Sequence, residues 1–288
     1  MTHDKGAKPA KLLVYRHAGV TRATHWINVL ALSLLLMSGL QIFNAHPALY
    51  WGAKSAFSHP WLAMVPGEKG GQPVGVTMVG SHQFETTGLF GYSGHGDKAE
   101  PRGFPAWATI PSYRDLADGR RWHFFFAWLF VINGLVYWAM SLINRHIQRD
   151  LWPKGWQLQP AHVWREIVTH AQLKFPKGED ARTYNILQKG AYLAVIVVLL
   201  PLMVATGLTM SPGFDSAAPW LLDLFGGRQS ARSIHFISAN LIVAFVVVHL
   251  AMVVASGTWN NIRSMITGKY AIEAEPGVAT PAATGDAA

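Results

Sequence analysis

Four of the chain's 13 histidines, His25, His123, His235 and His249, fall within the most apolar segments of the sequence, at about 23–43, 121–144 and 232–256. An ionisable side chain is costly to place in such an apolar segment, and its two ring nitrogens are good metal ligands. The chain has no cysteine, which excludes iron–sulfur clusters, thiolate zinc sites and thioether-linked haem. Any bound metal must therefore be held by histidine or by oxygen.

The segments that carry these histidines are long enough to cross a bilayer. The uncharged runs are 23–53, 122–144, 190–214 and 233–262, and a helix needs about 20 apolar residues to span about 30 Å of hydrocarbon. Hydrophobic residues make up 50% of the chain and charged residues only 14%, which argues against an ordinary soluble enzyme. The sequence predicts an all-α membrane protein, a four-transmembrane-helix bundle with helices at about 23–43, 121–144, 189–210 and 232–256.

Lysine and arginine predict which side of the membrane each segment faces. Four spans put both termini on one side, and that side carries 15 of the 24 basic residues. Basic residues mark the cytoplasmic side, so we expect a multi-pass protein of the bacterial inner (plasma) membrane with both termini cytoplasmic. This topology explains the net charge of +8, and no nucleic acid partner is expected.

The same topology divides the chain into segments. We expect a cytoplasmic N-terminal segment (1–22), a membrane domain (23–256) with a periplasmic insertion (44–120) and a cytoplasmic loop (145–188), and a partly disordered cytoplasmic tail (257–288). The insertion is rich in glycine, proline and aromatic residues, which indicates an ordered but irregular cap, either a docking surface or a solvated spacer. Residues 161–175 have one apolar face, which predicts an interfacial helix.

The topology also sorts the four histidines into two pairs at two depths. His235 and His249 are 14 residues apart, which places them within about 40° of one helix face and about 21 Å apart along the axis. Because successive helices are antiparallel, His25 lies level with His249 near the cytoplasmic side. His123 then lies level with His235 near the periplasmic side.

Two imidazoles that face each other across a helical bundle are the axial ligands that a six-coordinate haem b requires. A zinc site would instead need four converging ligands. For each histidine alone, a hydrogen-bonded residue at the membrane interface is the simpler interpretation. The two depth-matched pairs together favour two non-covalent haems.

Arginines and glycines near the histidines are candidates for further contacts. Haem propionates or lipid phosphates are the alternative partners for the arginines, which are Arg120, Arg121 and Arg232 at the outer pair and Arg22 and Arg263 at the inner pair. Glycines within the first three helices permit either the approach of a flat macrocycle or close helix packing; these are Gly39, Gly134 and Gly207.

Several motifs resemble a known family. The segments TRATHWIN and LLLMSGLQIF, the RRWHFFFAWLF opening of the second helix and the His-x13-His of the fourth resemble the b-type cytochrome subunits of formate dehydrogenases, nickel–iron hydrogenases and thiosulfate reductases. This group is related to bacterial cytochrome b561, and the resemblance covers about residues 23–256. It implies a dihaem cytochrome that anchors a catalytic partner and passes electrons to or from the quinone pool.

The resemblance also implies roles for individual residues. His25 and His249 match the ligands of the cytoplasm-side haem, and His123 and His235 match those of the periplasm-side haem. Family members bind quinone beside the cytoplasm-side haem, which implies a site near His25, Trp26, Asn28 and His249.

Two further segments, GLQIFNAHPALYWG and LFGGRQSARSIHF, resemble the branch encoded beside periplasmic molybdopterin oxidoreductases. They imply such an enzyme as the partner. The connection 44–120 is much longer than in the hydrogenase and formate dehydrogenase subunits, so their docking mode is not expected to transfer.

The sequence therefore predicts a membrane subunit for electron transfer between a periplasmic redox partner and quinone. Two alternatives remain open: a membrane anchor or assembly scaffold without redox activity, and a histidine-lined metal or haem transporter. Transporters favour broken helices and intramembrane acids, whereas the spans contain one central proline, Pro201, and no carboxylate.

Overall fold

The computed structural model describes residues 11–172, 174 and 183–273, so residues 274–288 of the tail that was predicted to be partly disordered lie outside the described residues. The helices are α1 (Gly19–Phe43), α2 (Leu116–Ile143), α3 (Pro160–Ala171), α4 (Ile186–Thr209), α5 (Pro212–Ala217), α6 (Pro219–Leu224), α7 (Arg228–Ala255) and α8 (Thr258–Thr267). Four of them, α1, α2, α4 and α7, are long and apolar enough to cross a membrane. The predicted fold class is confirmed.

Each membrane helix begins three to five residues before the predicted position. The prediction placed the helix starts where charged residues end, but Arg22, Arg121 and Arg232 lie within the first two turns of their helices. Long basic side chains can extend to the aqueous interface from inside a helix. Charge therefore marks the membrane boundary better than it marks the helix boundary.

Helix α4 changes its hydrogen-bond pattern in the middle of the span. Residues Ala194–Leu199 form a π-helical segment, directly before the α-helical turn that contains Pro201. Proline has no N–H to donate, and its ring clashes with the carbonyl four residues earlier. A π-helical turn widens the backbone at that place, so the span stays continuous from Ile186 to Thr209.

By their contacts, the residues form two compact units. The cap unit comprises His25–Val136 and Val195–Ala244, and the terminal unit comprises Met1–Thr24, Tyr137–Ala194 and Phe245–Ala288. In the described part of the terminal unit, strand β1 (Lys11–Tyr15) pairs antiparallel with a strand near the end of the chain, Lys269–Glu273. The guanidinium of Arg16 lies over two tyrosine rings there, 4.6 Å from the centre of Tyr270 and 5.4 Å from that of Tyr184.

The cap, residues 44–115, is built mainly from antiparallel strands. The strands are β2 (Ala48–Leu49), β3 (Leu62–Lys69), β4 (Gln72–Val79), β5 (His82–Glu85), β6 (Gly91–Ser93) and β7 (Glu100–Arg102), and the terminal strand Lys269–Glu273 is β8. The first four form one sheet in the order β2-β3-β4-β5, and β6 pairs with β7. The expectation of an irregular cap was wrong. Gly70 and Gly71 form the tight hairpin turn between β3 and β4, and both have a positive φ. Glycine adopts this backbone conformation without strain.

The cap packs on the ends of two membrane helices. Its apolar core contains Leu49, Leu62 and Met64 together with Phe43 of α1, and Phe236 of α7 packs against that core. At the end of α1, Asn44 exchanges two hydrogen bonds with the backbone of Phe104. The burial of these aromatic side chains fixes the cap on α1 and α7.

Polar contacts attach the cap to the first turns of α7. The backbone N–H groups of Gln229 and Ser230 donate to the carbonyl of Gly52, each at 3.1 Å. The indole of Trp61 donates to Ser233 Oγ at 2.9 Å. The two backbone bonds satisfy donors that the N-terminus of a helix leaves without an intrahelical partner, and all three bonds hold the start of α7 directly before His235.

Candidate functional site

His123 of α2 and His235 of α7 face each other in the cap unit. Their ring centres are 6.3 Å apart and the ring planes are inclined by 62°. The structure thus brings together the two residues that the sequence pairs near the outer surface. Both lie near the starts of their helices.

Each imidazole has its Nδ1 atom against a buried hydroxyl. Ser38 Oγ of α1 lies 3.1 Å from His123 Nδ1, and Thr206 Oγ1 of α4 lies 2.9 Å from His235 Nδ1. Both hydroxyl residues are fully buried. With Nδ1 engaged, Nε2 is the nitrogen available to a metal. The sequence reasoning missed these two residues, although each directly precedes a glycine in an apolar helix, at Ser38-Gly39 and Thr206-Gly207.

Glycines allow the two rings to lie close to neighbouring helices. A Cβ atom at Gly39 would lie 3.4 Å from His123 Cε1, and one at Gly207 would lie 3.5 Å from His235 Cε1. A Cβ at Gly134 would meet no atom of the described residues within 4 Å. Two of the three predicted glycines therefore adjoin a candidate ligand, and their contact is with the imidazole itself.

The separation of the rings fits two ligands on one metal ion. An imidazole nitrogen lies about 1.2 Å from its ring centre and binds a metal at about 2.0 Å, so two imidazoles on opposite sides of one ion need centres about 6.4 Å apart. The observed separation is 6.3 Å. Among the described residues no group of three or more metal-ligating side chains lies together. Two imidazoles are the donor set that a haem iron takes from protein, since the macrocycle supplies the other four nitrogens.

The inner pair is divided between the two structural units. His25 belongs to the cap unit, where its ring meets that of Trp26 edge to face at 5.3 Å. His249 belongs to the terminal unit, where its ring stacks on Phe245 at 5.8 Å. The pairing of His25 with His249 stays a prediction. In the cap unit, Asn28 accepts a hydrogen bond from Asn133 at 2.8 Å.

The predicted propionate partners have protein contacts of their own. Arg22 donates to the carbonyl of Ile266, and Arg121 pairs with Asp118 at 2.8 Å while its side chain is 80% exposed. Arg232 donates to the carbonyls of His46 and Ala48 in the cap. The role of these arginines toward a propionate stays a prediction.

Four apolar helices, two of which bring His123 and His235 face to face, in a chain without cysteine, define a b-type membrane cytochrome. The family model of prokaryotic cytochrome b561 matches residues 76–268, and the chain belongs to that family. It is a haem-binding, multi-pass membrane protein of electron transfer, as the resemblance implied. The matched range contains His123, His235 and His249 and begins after α1.

A relative from Azospira oryzae (strain ATCC BAA-33 / DSM 13638 / PS) is similar along most of its length. It bears the name "Putative protein-methionine-sulfoxide reductase subunit YedZ1" and is 28% identical over 237 residues, which cover 82% of this chain and 89% of the relative. No solved structure matches the chain.

Proposed function

We propose that this protein is the membrane-anchoring dihaem cytochrome b subunit of an oxidoreductase complex, and that it transfers electrons between a periplasmic catalytic partner and the quinone pool. The observation that carries the proposal is the facing arrangement of His123 and His235, whose ring separation fits a single shared ion. Membership of the cytochrome b561 family supports haem b as the group held there.

The four histidines have defined roles in this proposal. His123 and His235 would hold one haem b, and His25 and His249 would hold a second. When bound, a bis-histidine haem carries single electrons and offers no open position to a substrate. The protein side chains hold the imidazoles in place and do not act as acids or bases. Quinone is the exchangeable carrier at the His25 end, beside Trp26 and Asn28.

The cap is the proposed docking surface for the catalytic partner. Large apolar side chains are exposed on it, including Trp51, Phe57 and Trp107, and exposed apolar surface on a folded region supports a docking role. The relative named as a subunit of a protein-methionine-sulfoxide reductase supports a partner that is itself an oxidoreductase. A periplasmic molybdopterin enzyme is the partner we propose.

Haem content tests the proposal directly. The purified full-length protein is expected to contain two non-covalent haems b per chain, seen as low-spin bands on reduction and counted as pyridine haemochrome. His123→Ala and His235→Ala should each remove the same spectral component, and His25→Ala and His249→Ala the other. The matched control is His82→Ala, because His82 is exposed in the cap.

The alternatives predict different results. A folded, monodisperse protein without haem would refute the proposal and favour a scaffold. Loss of different components by His123→Ala and His235→Ala would show that these residues do not share one haem. Haem that exchanges freely with vesicle-entrapped haem, with no electron transfer to quinone or from quinol, would favour the transporter.

The proposed orientation has its own test. We propose cytoplasmic termini, including segments 1–22 and 257–288, with the cap in the periplasm. Because the chain has no cysteine, Ser81→Cys on the cap and Ala161→Cys on α3 each introduce a single thiol at an exposed position. In intact spheroplasts an impermeant maleimide should label the first and leave the second unlabelled. The reverse pattern would invert the proposed electron path.

A further inference from the structure

We propose that Ser38 and Thr206 are positioning residues for the axial histidines, each one fixing the tautomer and the ring orientation of its partner imidazole. This inference rests on the proposed haem between His123 and His235. It concerns the hydroxyl groups that contact the Nδ1 atoms of the two histidines, and it is argued from the hydrogen bonds of those hydroxyl groups.

The hydrogen-bond partners of each hydroxyl define the direction of the bond to histidine. Ser38 Oγ lies 2.6 Å from the carbonyl oxygen of Leu34, and Thr206 Oγ1 lies 2.7 Å from that of Leu202. A carbonyl oxygen can only accept, so the single hydroxyl proton is donated to the helix backbone. The hydroxyl oxygen is then left as an acceptor, and the Nδ1 of the imidazole must be the donor.

A donating Nδ1 carries the proton of the neutral imidazole. The lone pair of that imidazole is consequently on Nε2, the nitrogen that a haem iron would take. An acceptor behind the Nδ1–H also increases the basicity of the metal-binding nitrogen. The two hydroxyl groups would therefore favour the ferric state and lower the reduction potential of a haem iron held by these two histidines.

The same arrangement occurs twice in the chain. A hydroxyl residue and a glycine lie together on one helix, and the next membrane helix presents the histidine, with an arginine three residues before it and a phenylalanine directly after it. The first set is Ser38, Gly39, Arg120, His123 and Phe124, and the second is Thr206, Gly207, Arg232, His235 and Phe236. The two helix pairs, α1 with α2 and α4 with α7, thus supply equivalent supports to the two faces of one site.

The glycine and the hydroxyl act together on each ring. Glycine has no side chain that would separate the imidazole from the helix. A Cβ atom placed at Gly39 would lie only 3.4 Å from His123 Cε1. The neighbouring hydroxyl then reaches Nδ1 at 3.1 Å. The edge contact, the bond to the hydroxyl and a further hydrogen bond to the backbone of Leu35 together restrict rotation of the ring about its side-chain torsions.

The experiment compares variants of the full-length protein in nanodiscs. Ser38→Ala and Thr206→Val remove the acceptors, whereas Ser38→Thr and Thr206→Ser keep them. Ser33→Ala is the matched control, since Ser33 is on the same helix as Ser38 and bonds only the backbone carbonyl of Val29 among the contacts described. The readouts are the midpoint potentials of the two haems, the low-spin electron paramagnetic resonance spectrum, and the rate of haem loss to apomyoglobin.

We expect Ser38→Ala and Thr206→Val to raise the midpoint potential of one haem component and leave the other unchanged. Haem affinity at that site should fall by about 10- to 100-fold, the usual cost of removing such an outer partner. The hydroxyl-conserving variants and Ser33→Ala should behave like the unsubstituted protein.

Three results would overturn the inference. The first is an unchanged midpoint potential and spectrum in both acceptor-free variants. The second is an equal shift in the midpoint potentials of both haems. The third is a midpoint potential in Ser38→Thr that differs from that of the unsubstituted protein. Each requires that the unsubstituted protein contains haem. Absence of haem from the unsubstituted protein would contradict the proposed function, so the two failures are distinguishable.

Discussion

The contact between Gly39 and the His123 ring makes a steric prediction that can be graded by side-chain size. An alanine Cβ at this position would lie 3.4 Å from Cε1 and 3.7 Å from Nδ1, which is ordinary van der Waals contact. Gly39→Ala should therefore retain both haems. Gly39→Val adds two γ carbons about 1.5 Å beyond that Cβ, and a helix allows valine essentially one rotamer.

The size of the expected displacement follows from these distances. A γ carbon directed at the ring would lie about 2 Å from Cε1, whereas carbon atoms pack at about 3.5–4.0 Å. The imidazole would have to move by about 1.5 Å, which a metal bond of about 2.0 Å cannot follow. We expect Gly39→Val to lose the haem component that His123→Ala loses, and to keep the other.

Two comparisons separate this effect from general instability. Replacing a helical glycine by alanine usually stabilises the helix by about 0.5–1 kcal/mol, and valine also has a higher helix propensity than glycine, so helix propensity predicts the opposite sign. Gly134→Val is the matched control on α2, since its Cβ would meet no atom of the described residues within 4 Å. The assay is haem per chain with the reduced-minus-oxidised spectrum. Full retention of both components in Gly39→Val would refute the steric reasoning.

Two further predictions concern the cap. Arg102 is buried and donates to Glu100, Phe104 and three other acceptors, so Arg102→Met should lower the opening free energy of the cap by about 3 kcal/mol, measured by hydrogen exchange. Burial and the charge of Arg232 lower the pKa of His46 from 6.5. The cap should therefore lose stability as the pH falls below about 6.5, because the folded cap disfavours the charged imidazole. His46→Gln should reduce that loss, measured as the difference in proteolysis rate between about pH 7.5 and about pH 5.

The helices and the histidines could be predicted because a bilayer restricts the sequence severely. A span needs about 20 apolar residues, and a histidine such as His123 inside one is conspicuous. Ser38 and Thr206 are different, since hydroxyl residues in membrane helices commonly bond their own backbone, as Ser33 does. Their residue type therefore carries no signal, and only the repeated hydroxyl-glycine pair distinguishes them.

The strands of the cap could not be predicted for a local reason. Pro66 and Gly67 lie within β3, and Pro73 lies within β4, whereas proline and glycine normally argue against a strand interior. The pairing opposes Pro66 to Gly75 and Gly67 to Val74. At Gly75 a Cβ would collide with the backbone carbonyl of Phe90, so glycine is required where β4 passes close to the chain before β6. Tertiary packing has overridden the local preference.

The contacts of Arg232 connect the cap to the candidate site. Arg232 lies three residues before His235, and the sequence suggested a propionate or a lipid phosphate as its partner. In the structure its guanidinium donates hydrogen bonds to the cap carbonyls of His46 and Ala48. The next residue, Ser233, donates to the carbonyl of Tyr50 at 2.6 Å. The turn of α7 that precedes the ligand is therefore held by the cap backbone. A partner that docks on the cap would bind the same segment that positions His235, because strands and ligand helix share these hydrogen bonds.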